Sequence, residues 1–419
     1  MTAPKPQDLR DSSLAAQYEA YPYPERDPRD EQKRLFIGSP SHLREIDYWV
    51  FGAQRPRSTP LRVLIAGCGT GDGAIMLATQ MTRAERAGEV VCLDRSSKAL
   101  ATVQARAKAR GLENIRFIQA SLNNLAPLEL GVFDYIDCCG VLHHLPDPVA
   151  TLKDLTAHLA EGGGMGLMVY APYGRTGVYM VQEALEKLAP LNETPSARLD
   201  YAKRVMRTLP ATAWLRQNGN FGDHLNGGDA GLYDLLLNPR DRAYTVNTFL
   251  DLLESAGLES SCLMEPARYN PALFMPDPKL RARLSALSAR EQASIAEDLT
   301  GNMATHVAYV VRKGARITPP NYQHPDTVPI MREIPGVELA KQMLPNHTLP
   351  FAFGTLVVPI ALPAQARGIL PLIDGQRTVG ELAAILSTRG VPHDKFQTVW
   401  QETFLTLESL NRVLLQSPA

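Results

Sequence analysis

The sequence predicts an α/β fold built around a mostly parallel sheet. Two observations carry this prediction: apolar runs recur over residues 63–170, and a glycine-rich turn follows the first of them. Strands buried on both faces, as in parallel sheets, form continuous apolar runs rather than alternating patterns. Since 419 residues exceed the length of a typical domain, we also expect a second domain.

The glycine-rich turn lies directly after the first apolar run. The run is Val63-Leu64-Ile65-Ala66, the turn is Gly67-Cys68-Gly69-Thr70-Gly71-Asp72-Gly73, and apolar residues follow over 74–78. This pattern predicts a buried strand, a tight loop and the start of a helix. Glycine lets a ligand approach the backbone, and a helix N-terminus attracts a carboxylate or phosphate. A nucleotide-like ligand is predicted here, although the turn also fits the G-x-G-x-x-G/A pattern of nicotinamide-dependent dehydrogenases.

Further strand patterns follow in order. Residues 89–94 form an apolar run ending in Asp94, where a carboxylate can accept hydrogen bonds from ribose hydroxyls. Residues 115–122 and 133–139 are the next two runs, and the second leads into Gly140-Val141-Leu142-His143-His144. A helical pattern and a fifth run over 165–170 come next. Together these ordered motifs are more specific than the glycine turn alone.

This succession resembles the class I S-adenosylmethionine (SAM)-dependent methyltransferases over residues 60–170. The resemblance implies a Rossmann-like, seven-stranded, mostly parallel sheet with helical insertions, whose last strands would be 258–263 and 306–311. It implies transfer of a methyl group from SAM by direct displacement to a small-molecule or a protein or peptide nucleophile. Two alternatives stay open: a catalytically inactive SAM-binding interaction module, and an NAD-dependent oxidoreductase.

The resemblance also implies which residues bind SAM. The glycine loop would hold the methionine part, Asp94 the ribose, and Ser121 and Leu122 the adenine. Ile65 and Ser121 depart from the family, which usually has an acid at both positions, so contacts to the amine and the adenine would be replaced or weakened. The expected cofactor-binding residues are Ala66, Gly67, Cys68, Gly69, Gly71, Asp94, Arg95, Ser121, Leu122, Gly140 and His143.

Catalytic candidates come from the segments expected beside the methyl group. His143 is a titratable group at the end of the fourth run, and Tyr173 and Arg175 follow the fifth run. Tyr21 belongs to the segment Tyr21-Pro22-Tyr23-Pro24, whose prolines predict an extended backbone. The resemblance implies that this arm covers the cofactor, and an arm that only packs on the domain is the alternative. We predict no metal site, because Asp223, His224 and Asp229 have no convincing further ligand nearby.

Domain boundaries are predicted from linkers and composition. We expect an N-terminal arm or lid at 1–54, the methyltransferase domain at 55–315 with helical insertions at 172–243 and 266–304, and an accessory domain at 322–419. Pro319-Pro320 marks the linker before the accessory domain. That region resembles small winged-helix modules. If the protein forms a homodimer, we expect the interface in this region or in the insertions.

Composition bears on partners and location. The formal net charge of −1 and a C-terminal helical segment with Arg389 as its one cation over 379–390 argue against a nucleic-acid partner. The apolar stretch at 351–364 contains a glycine and two prolines, so no membrane span is predicted. The five cysteines show no metal spacing. They predict buried free thiols and a cytoplasmic location.

Overall fold

A computed structural model describes residues 6–123 and 125–417 of the chain. Residues 1–5 of the predicted arm and 418–419 of the predicted accessory domain lie outside the described residues. The chain divides into two compact units. The first contains the described part of Met1–His42 together with Arg57–Glu259 and Gly301–Lys313, and the second contains Leu43–Pro56, Ser260–Thr300 and the described part of Gly314–Ala419.

A seven-stranded sheet forms the centre of the nucleotide-binding fold. Its spatial order is β3-β2-β1-β4-β5-β7-β6 in the numbering given below. The pairs β3–β2, β2–β1, β1–β4 and β4–β5 are parallel, and β5–β7 is antiparallel. The predicted Rossmann-like, mostly parallel sheet is therefore confirmed. The strands are β1 Leu61–Ala66, β2 Gly88–Asp94, β3 Ile115–Gln119, β4 Phe133–Cys139, β5 Leu159–Tyr170, β6 Leu258–Leu263 and β7 Thr305–Arg312.

Helices surround this sheet in the first unit. The glycine turn leads directly into the helix Asp72–Arg83, as its sequence predicts. The helix Ser97–Arg110 is capped by the preceding residue, Ser96, whose hydroxyl accepts a hydrogen bond from the Ala99 N–H. The other α-helices of this unit are Pro6–Ala20, Pro148–Ala157, Val178–Leu188, Pro195–Thr208, Trp214–Gln217, Asp223–Asn226, Gly228–Leu237 and Val246–Ser255, with 3-10 turns at Pro28–Gln32, Ala126–Leu128 and Leu142–His144.

The second unit has two small antiparallel sheets, each of two strands. Strands β8 Val328–Met331 and β11 Val413–Gln416 form one sheet, and β9 Thr348–Phe353 and β10 Leu356–Ala361 form the other. Its α-helices are Leu43–Glu45, Pro278–Leu284, Ala289–Thr300, Gly336–Gln342, Ala366–Ile369, Val379–Thr388 and His393–Ser409, with a π-turn at Ile46–Val50 and 3-10 turns at Pro266–Tyr269, Pro271–Leu273 and Leu370–Leu372.

The division into units differs from the predicted boundaries. Residues 43–56 and 260–300 group with the C-terminal region. The reason is a shared hydrophobic core, in which Tyr48 and Ala267 belong to the same buried cluster as Trp400 and Leu414. These residues are distant in sequence, and no linker pattern marks the points where the chain passes from one unit to the other. Prolines and composition therefore predict a single boundary, near residue 316.

No helix in the described part of the chain is long and apolar enough to cross a membrane.

Candidate active site

A cavity of about 800 Å³ opens at the carboxyl ends of the parallel strands in the first unit. Its wall includes Ile65 from β1, Asp94 from β2, Asp137 from β4 and Tyr170 from β5. Ligands of open α/β sheets bind at this edge, near the point where the strand order reverses. Here the order reverses between β1 and β4, so the cavity lies where the topology favours a ligand site.

The three glycines of the loop adopt left-handed backbone conformations, with φ of +78° at Gly67, +51° at Gly69 and +95° at Gly71. A Cβ atom at Gly67 would lie 2.7 Å from a methyl of Val141, and one at Gly71 would lie 2.7 Å from a methyl of Val103. At Gly69 it would lie 2.8 Å from the carbonyl oxygen of Tyr23. The glycines are therefore required by close contacts within the protein as well as by the backbone geometry.

Asp94 connects the loop to the second strand. Its Oδ2 accepts a hydrogen bond from the Gly69 N–H at 2.8 Å, and its Oδ1 accepts one from the Ser96 N–H at 2.9 Å. Burial raises the pKa of this carboxyl above its usual value, whereas these two N–H groups act to lower it. A carboxylate has about four acceptor positions, so the oriented group can still accept hydrogen bonds from ligand hydroxyls.

The segment around Tyr23 lies against the glycine loop. The Thr70 hydroxyl donates to the Pro24 carbonyl at 2.6 Å, and Arg26 forms an ion pair with Asp72 at 2.6 Å. Tyr23 lines the cavity, and burial, together with the negative charges of Asp234 and Asp223, raises the pKa of its hydroxyl. The arm is thus held against the loop by a hydrogen bond from the Thr70 side chain to the Pro24 carbonyl and by an ion pair.

A cluster of rings and charges surrounds Tyr170, which lies in another part of the cavity wall. The guanidinium of Arg175 lies 3.6 Å from the ring centroid of Tyr170, and the His143 ring lies 3.9 Å from the same centroid. Burial lowers the pKa of His143 well below its usual value, so its ring is neutral. Within the described part of the chain, neither nitrogen of His143 has a hydrogen-bond partner. The neighbouring His144 lines the cavity, and its Nδ1 lies 2.6 Å from the Arg240 carbonyl oxygen.

Asp234, on the helix Gly228–Leu237, adds a buried carboxylate to this cluster. Its Oδ1 accepts hydrogen bonds from the Tyr18 hydroxyl at 3.1 Å and from Gln17 at 3.3 Å. Its Oδ2 accepts one from the Tyr170 hydroxyl at 3.4 Å. Burial is the main cause of a raised pKa for Asp234, and the nearby His144 lowers it. A desolvated carboxylate at a cavity wall is a candidate base.

The structure brings most of the sequence-predicted residues to this cavity. Those in its wall are Gly67, Cys68, Gly69, Asp94, Arg95, Ser121, Leu122, Gly140 and Arg175. The described wall does not include Ala66, Gly71, His143, Tyr21 or Tyr173. Tyr21 stacks on Tyr233 with ring centroids 5.3 Å apart, and Tyr173 is 39% exposed. The catalytic roles of His143, Tyr21, Tyr173 and Arg175 stay predictions.

Sequence reasoning missed the wall carboxylates Asp234 and Asp137. Asp234 follows a glycine-rich stretch and carries no recognisable motif. Asp137, however, is one of two aspartates in a strand pattern that is otherwise apolar or aromatic, which is a signal that could have been followed. In the structure it is 3% exposed, and it accepts hydrogen bonds from the Ser41 hydroxyl and from the Cys139 N–H.

Replacement of Asp137 by asparagine should stabilise the ligand-free protein at neutral pH. Burial raises the pKa of Asp137 to about 6, against 3.8 for a free aspartate. The folded state therefore binds more protons than the unfolded state between these values, and stability falls as the pH rises through this interval. At pH 7, Asp137→Asn should increase the free energy of unfolding by about 1–3 kcal/mol. Urea unfolding at pH 7 and pH 4 measures this, and the difference should nearly vanish at the lower pH.

Arg175 is a structural ion-pair partner as well as a wall residue. Its guanidinium lies 2.9 Å from Asp241, and the two side chains are 3% and 1% exposed. Removing one partner of a buried pair leaves an uncompensated charge, so Arg175→Met should lower the free energy of unfolding by about 3–5 kcal/mol. Chemical unfolding measures the loss. The control is Arg204→Met, which breaks an exposed pair with Asp200 and should cost about 1 kcal/mol or less. Equal losses in the two variants would contradict a stabilising role for the buried pair.

The cavity fits SAM, the cofactor that the resemblance implies. It combines a glycine loop at a helix N-terminus, an oriented carboxylate and a volume within the range of about 300–1,000 Å³ that is usual for cofactor sites. Leu122 and Leu93 contribute apolar surface to its wall. Among the described residues, no group of three or more His, Cys, Asp or Glu side chains could hold a metal ion.

Comparison with known proteins also indicates a methyltransferase. A family model described as a methyltransferase domain matches residues 63–163. An uncharacterised protein of Synechococcus is 32% identical over 68% of this chain and 68% of its own length. A ubiquinone biosynthesis O-methyltransferase of Albidiferax ferrireducens is 28% identical over 34% of this chain, which spans about half of that relative (54%). The structure of PKMT2 from Rickettsia typhi in complex with AdoHcy matches with a TM-score of 0.62 at 16% identity, over 90% of this chain and 75% of that one.

Proposed function

Because the chain belongs to the class I SAM-dependent methyltransferases, we propose that it methylates a neutral nitrogen or oxygen nucleophile bound beside Tyr170 and Asp234. The observation that carries this proposal is a single cavity whose wall includes both the glycine loop with Asp94 and the Tyr170–Asp234 pair. Donor and acceptor can therefore meet in one cavity. Such positioning supplies on the order of 7–11 kcal/mol of the barrier to a displacement reaction.

The cofactor contacts in this proposal follow the geometry of the loop. Asp94 would accept hydrogen bonds from the ribose, Ser121 and Leu122 would line the adenine, and the loop at Gly67 and Gly69 would hold the methionine part. Bound SAM supplies an electrophilic methyl group on a positively charged sulfur. The carboxylate of Asp94 is suited to its part because two backbone N–H groups already orient it.

The part of Asp234 is to accept a proton. When a neutral N–H or O–H nucleophile forms its bond to the methyl carbon, the carbon–sulfur bond breaks and the proton must leave the nucleophile. Burial raises the pKa of Asp234, which makes its carboxylate a stronger base, and the Tyr170 hydroxyl lies within hydrogen-bond distance of it. A positioned base of this kind contributes about 10²–10⁴-fold to the rate.

Cavity size limits the acceptor to a small molecule or the end of a single side chain. About 800 Å³ is a volume suited to such groups, and the arm near Tyr23 and Pro24 is held against the loop by direct contacts. One relative is named as a ubiquinone biosynthesis O-methyltransferase, which supports an oxygen nucleophile. Homodimer formation through the C-terminal domain or the insertions and a cytoplasmic location stay predictions.

The test follows a labelled methyl group. Purified protein is incubated with SAM labelled in its methyl group and with extract from the producing organism, separated into a low-molecular-weight fraction and a protein fraction. We expect wild-type protein to label one of the fractions and Asp94→Ala to label neither. Label in the low-molecular-weight fraction identifies a small acceptor, and label in the protein fraction identifies a side chain. Wild-type protein that binds SAM but labels neither fraction would contradict the proposal.

A further inference from the structure

Asp137 is a buried carboxylate in the cavity wall, and no cationic side chain in the described part of the chain pairs with it. Among the described residues, its hydrogen-bond donors are the Ser41 hydroxyl and the Cys139 N–H, and no arginine, lysine or histidine pairs with it. Buried charges in proteins are normally paired, because an isolated one is costly to remove from water. A buried carboxylate that lacks a cationic partner among the described residues, at the wall of a ligand cavity, is suited to bind a positively charged group of the ligand.

The position of Asp137 places it next to the glycine loop. In the sheet register it pairs with Ile65 of β1, two residues before Gly67. A Cβ atom at Gly73, in the first turn of the helix Asp72–Arg83, would lie 3.5 Å from its Oδ2 and 3.5 Å from the Ser41 hydroxyl oxygen. The carboxylate thus lies between the end of β1 and the start of that helix, beside the part of the loop that receives the amino-acid portion of SAM.

Other carboxylates near the loop are already engaged. Asp72 forms ion pairs with Arg26 at 2.6 Å and with Arg106 at 2.7 Å. Asp94 is oriented by two backbone N–H groups at the end of β2, the next strand. The register partner Ile65 contributes no charge. The one cationic group that SAM carries besides its sulfonium is the α-ammonium, and it needs a carboxylate close to the loop.

We propose that Asp137, positioned by the hydroxyl of Ser41, binds the α-ammonium group of SAM. Ser41 directs the carboxylate by donating to Oδ2, while the Cys139 N–H holds Oδ1, so both oxygens are restrained before the ligand arrives. Ion pairing with the ammonium compensates the buried negative charge. The inference concerns the cofactor and is independent of the acceptor proposed above, so either can fail without the other.

The test compares SAM with a ligand that has a neutral sulfur and lacks the whole amino-acid portion, the ammonium group included. Isothermal titration calorimetry measures the affinity for SAM and for 5′-methylthioadenosine, which keeps the nucleoside and the sulfur but lacks the amino-acid portion. Asp137→Asn should weaken SAM binding by at least about thirty-fold, as expected for truncating one partner of a buried charge pair. The same variant should change the affinity for 5′-methylthioadenosine less than threefold.

Control and rescue variants separate binding from folding. Asp134→Asn changes the same residue type on the same strand, where the carboxylate accepts a hydrogen bond from the Arg62 N–H outside the cavity wall, and it should leave both affinities unchanged. Ser41→Ala should weaken the binding of SAM but not of 5′-methylthioadenosine, and by a smaller factor than Asp137→Asn does. The double variant Ile65→Asp/Asp137→Asn moves the carboxylate to the register partner and should regain part of the lost SAM affinity.

The outcomes that overturn the inference are specific. Unchanged SAM affinity in Asp137→Asn would show that the carboxylate does not hold the ammonium. Equal weakening of both ligands would show a structural role. If Asp137→Asn does not fold, Ser41→Ala decides the question, and a loss of 5′-methylthioadenosine affinity as large as the loss for SAM in that variant would overturn the inference.

Discussion

Gly69→Val should weaken SAM binding at least about a hundred-fold while the protein stays folded. The backbone of Gly69 has φ of +51°, a conformation that costs a branched residue about 1–2 kcal/mol. Its Cβ atom would also lie 2.8 Å from the Tyr23 carbonyl oxygen, so the loop and the arm must move apart. Overpacking of this kind costs about 1–3 kcal/mol, and a hundred-fold change corresponds to about 2.7 kcal/mol. Isothermal titration calorimetry with SAM measures the effect.

The matched control is Gly111→Val. Gly111 has φ of +66° at the end of the helix Ser97–Arg110, and a Cβ atom there would meet nothing within 4 Å. The variant Gly111→Val therefore has the same kind of backbone strain as Gly69→Val but no contact with the arm. We expect its SAM affinity to match that of the wild type, and similar affinities in both valine variants would contradict the proposed place of the loop in SAM binding.

Local patterns were sufficient for most of the nucleotide-binding fold. Continuous apolar runs identify the parallel strands, because burial on both faces requires apolar residues at every position. The predicted strand 258–263 coincides with Leu258–Leu263, and the helix Val178–Leu188 lies in the predicted helical insertion at 172–243. The helix Pro6–Ala20 was not predicted, because its apolar residues are few. Gln17 and Tyr18 on this helix donate hydrogen bonds to Asp234, more than 200 residues away, which no local pattern reports.

The candidate site shows the same limit of local sequence patterns, which do not report contacts between distant segments. Gly67, Gly69 and Asp94 could be identified because their relation depends on one loop between adjacent elements. Asp137 gains its surroundings from Ser41, 96 residues earlier, and from the register with β1. Of the two tyrosines in the arm, the sequence favours Tyr21 for catalysis, whereas it is Tyr23 that lines the cavity. Which side of an extended segment faces a cavity depends on tertiary contacts.

The most direct test of the shared donor and acceptor cavity is a single-turnover measurement on Asp234→Asn. This change keeps the shape of the side chain and removes the charge that would accept the proton. With the acceptor identified by the labelling experiment, the rate of methyl transfer should fall by about 10²–10⁴-fold. The SAM affinity should stay within threefold of the wild type, since the glycine loop and Asp94 are untouched.

The matched control for this measurement is Gln17→Met, which removes one donor to Oδ1 of Asp234 but leaves the carboxylate in place. We expect its rate to stay within about threefold of the wild type. The account predicts a large loss of rate in Asp234→Asn with SAM affinity preserved. A wild-type rate in Asp234→Asn, or a loss of rate no larger than that of Gln17→Met, would contradict it.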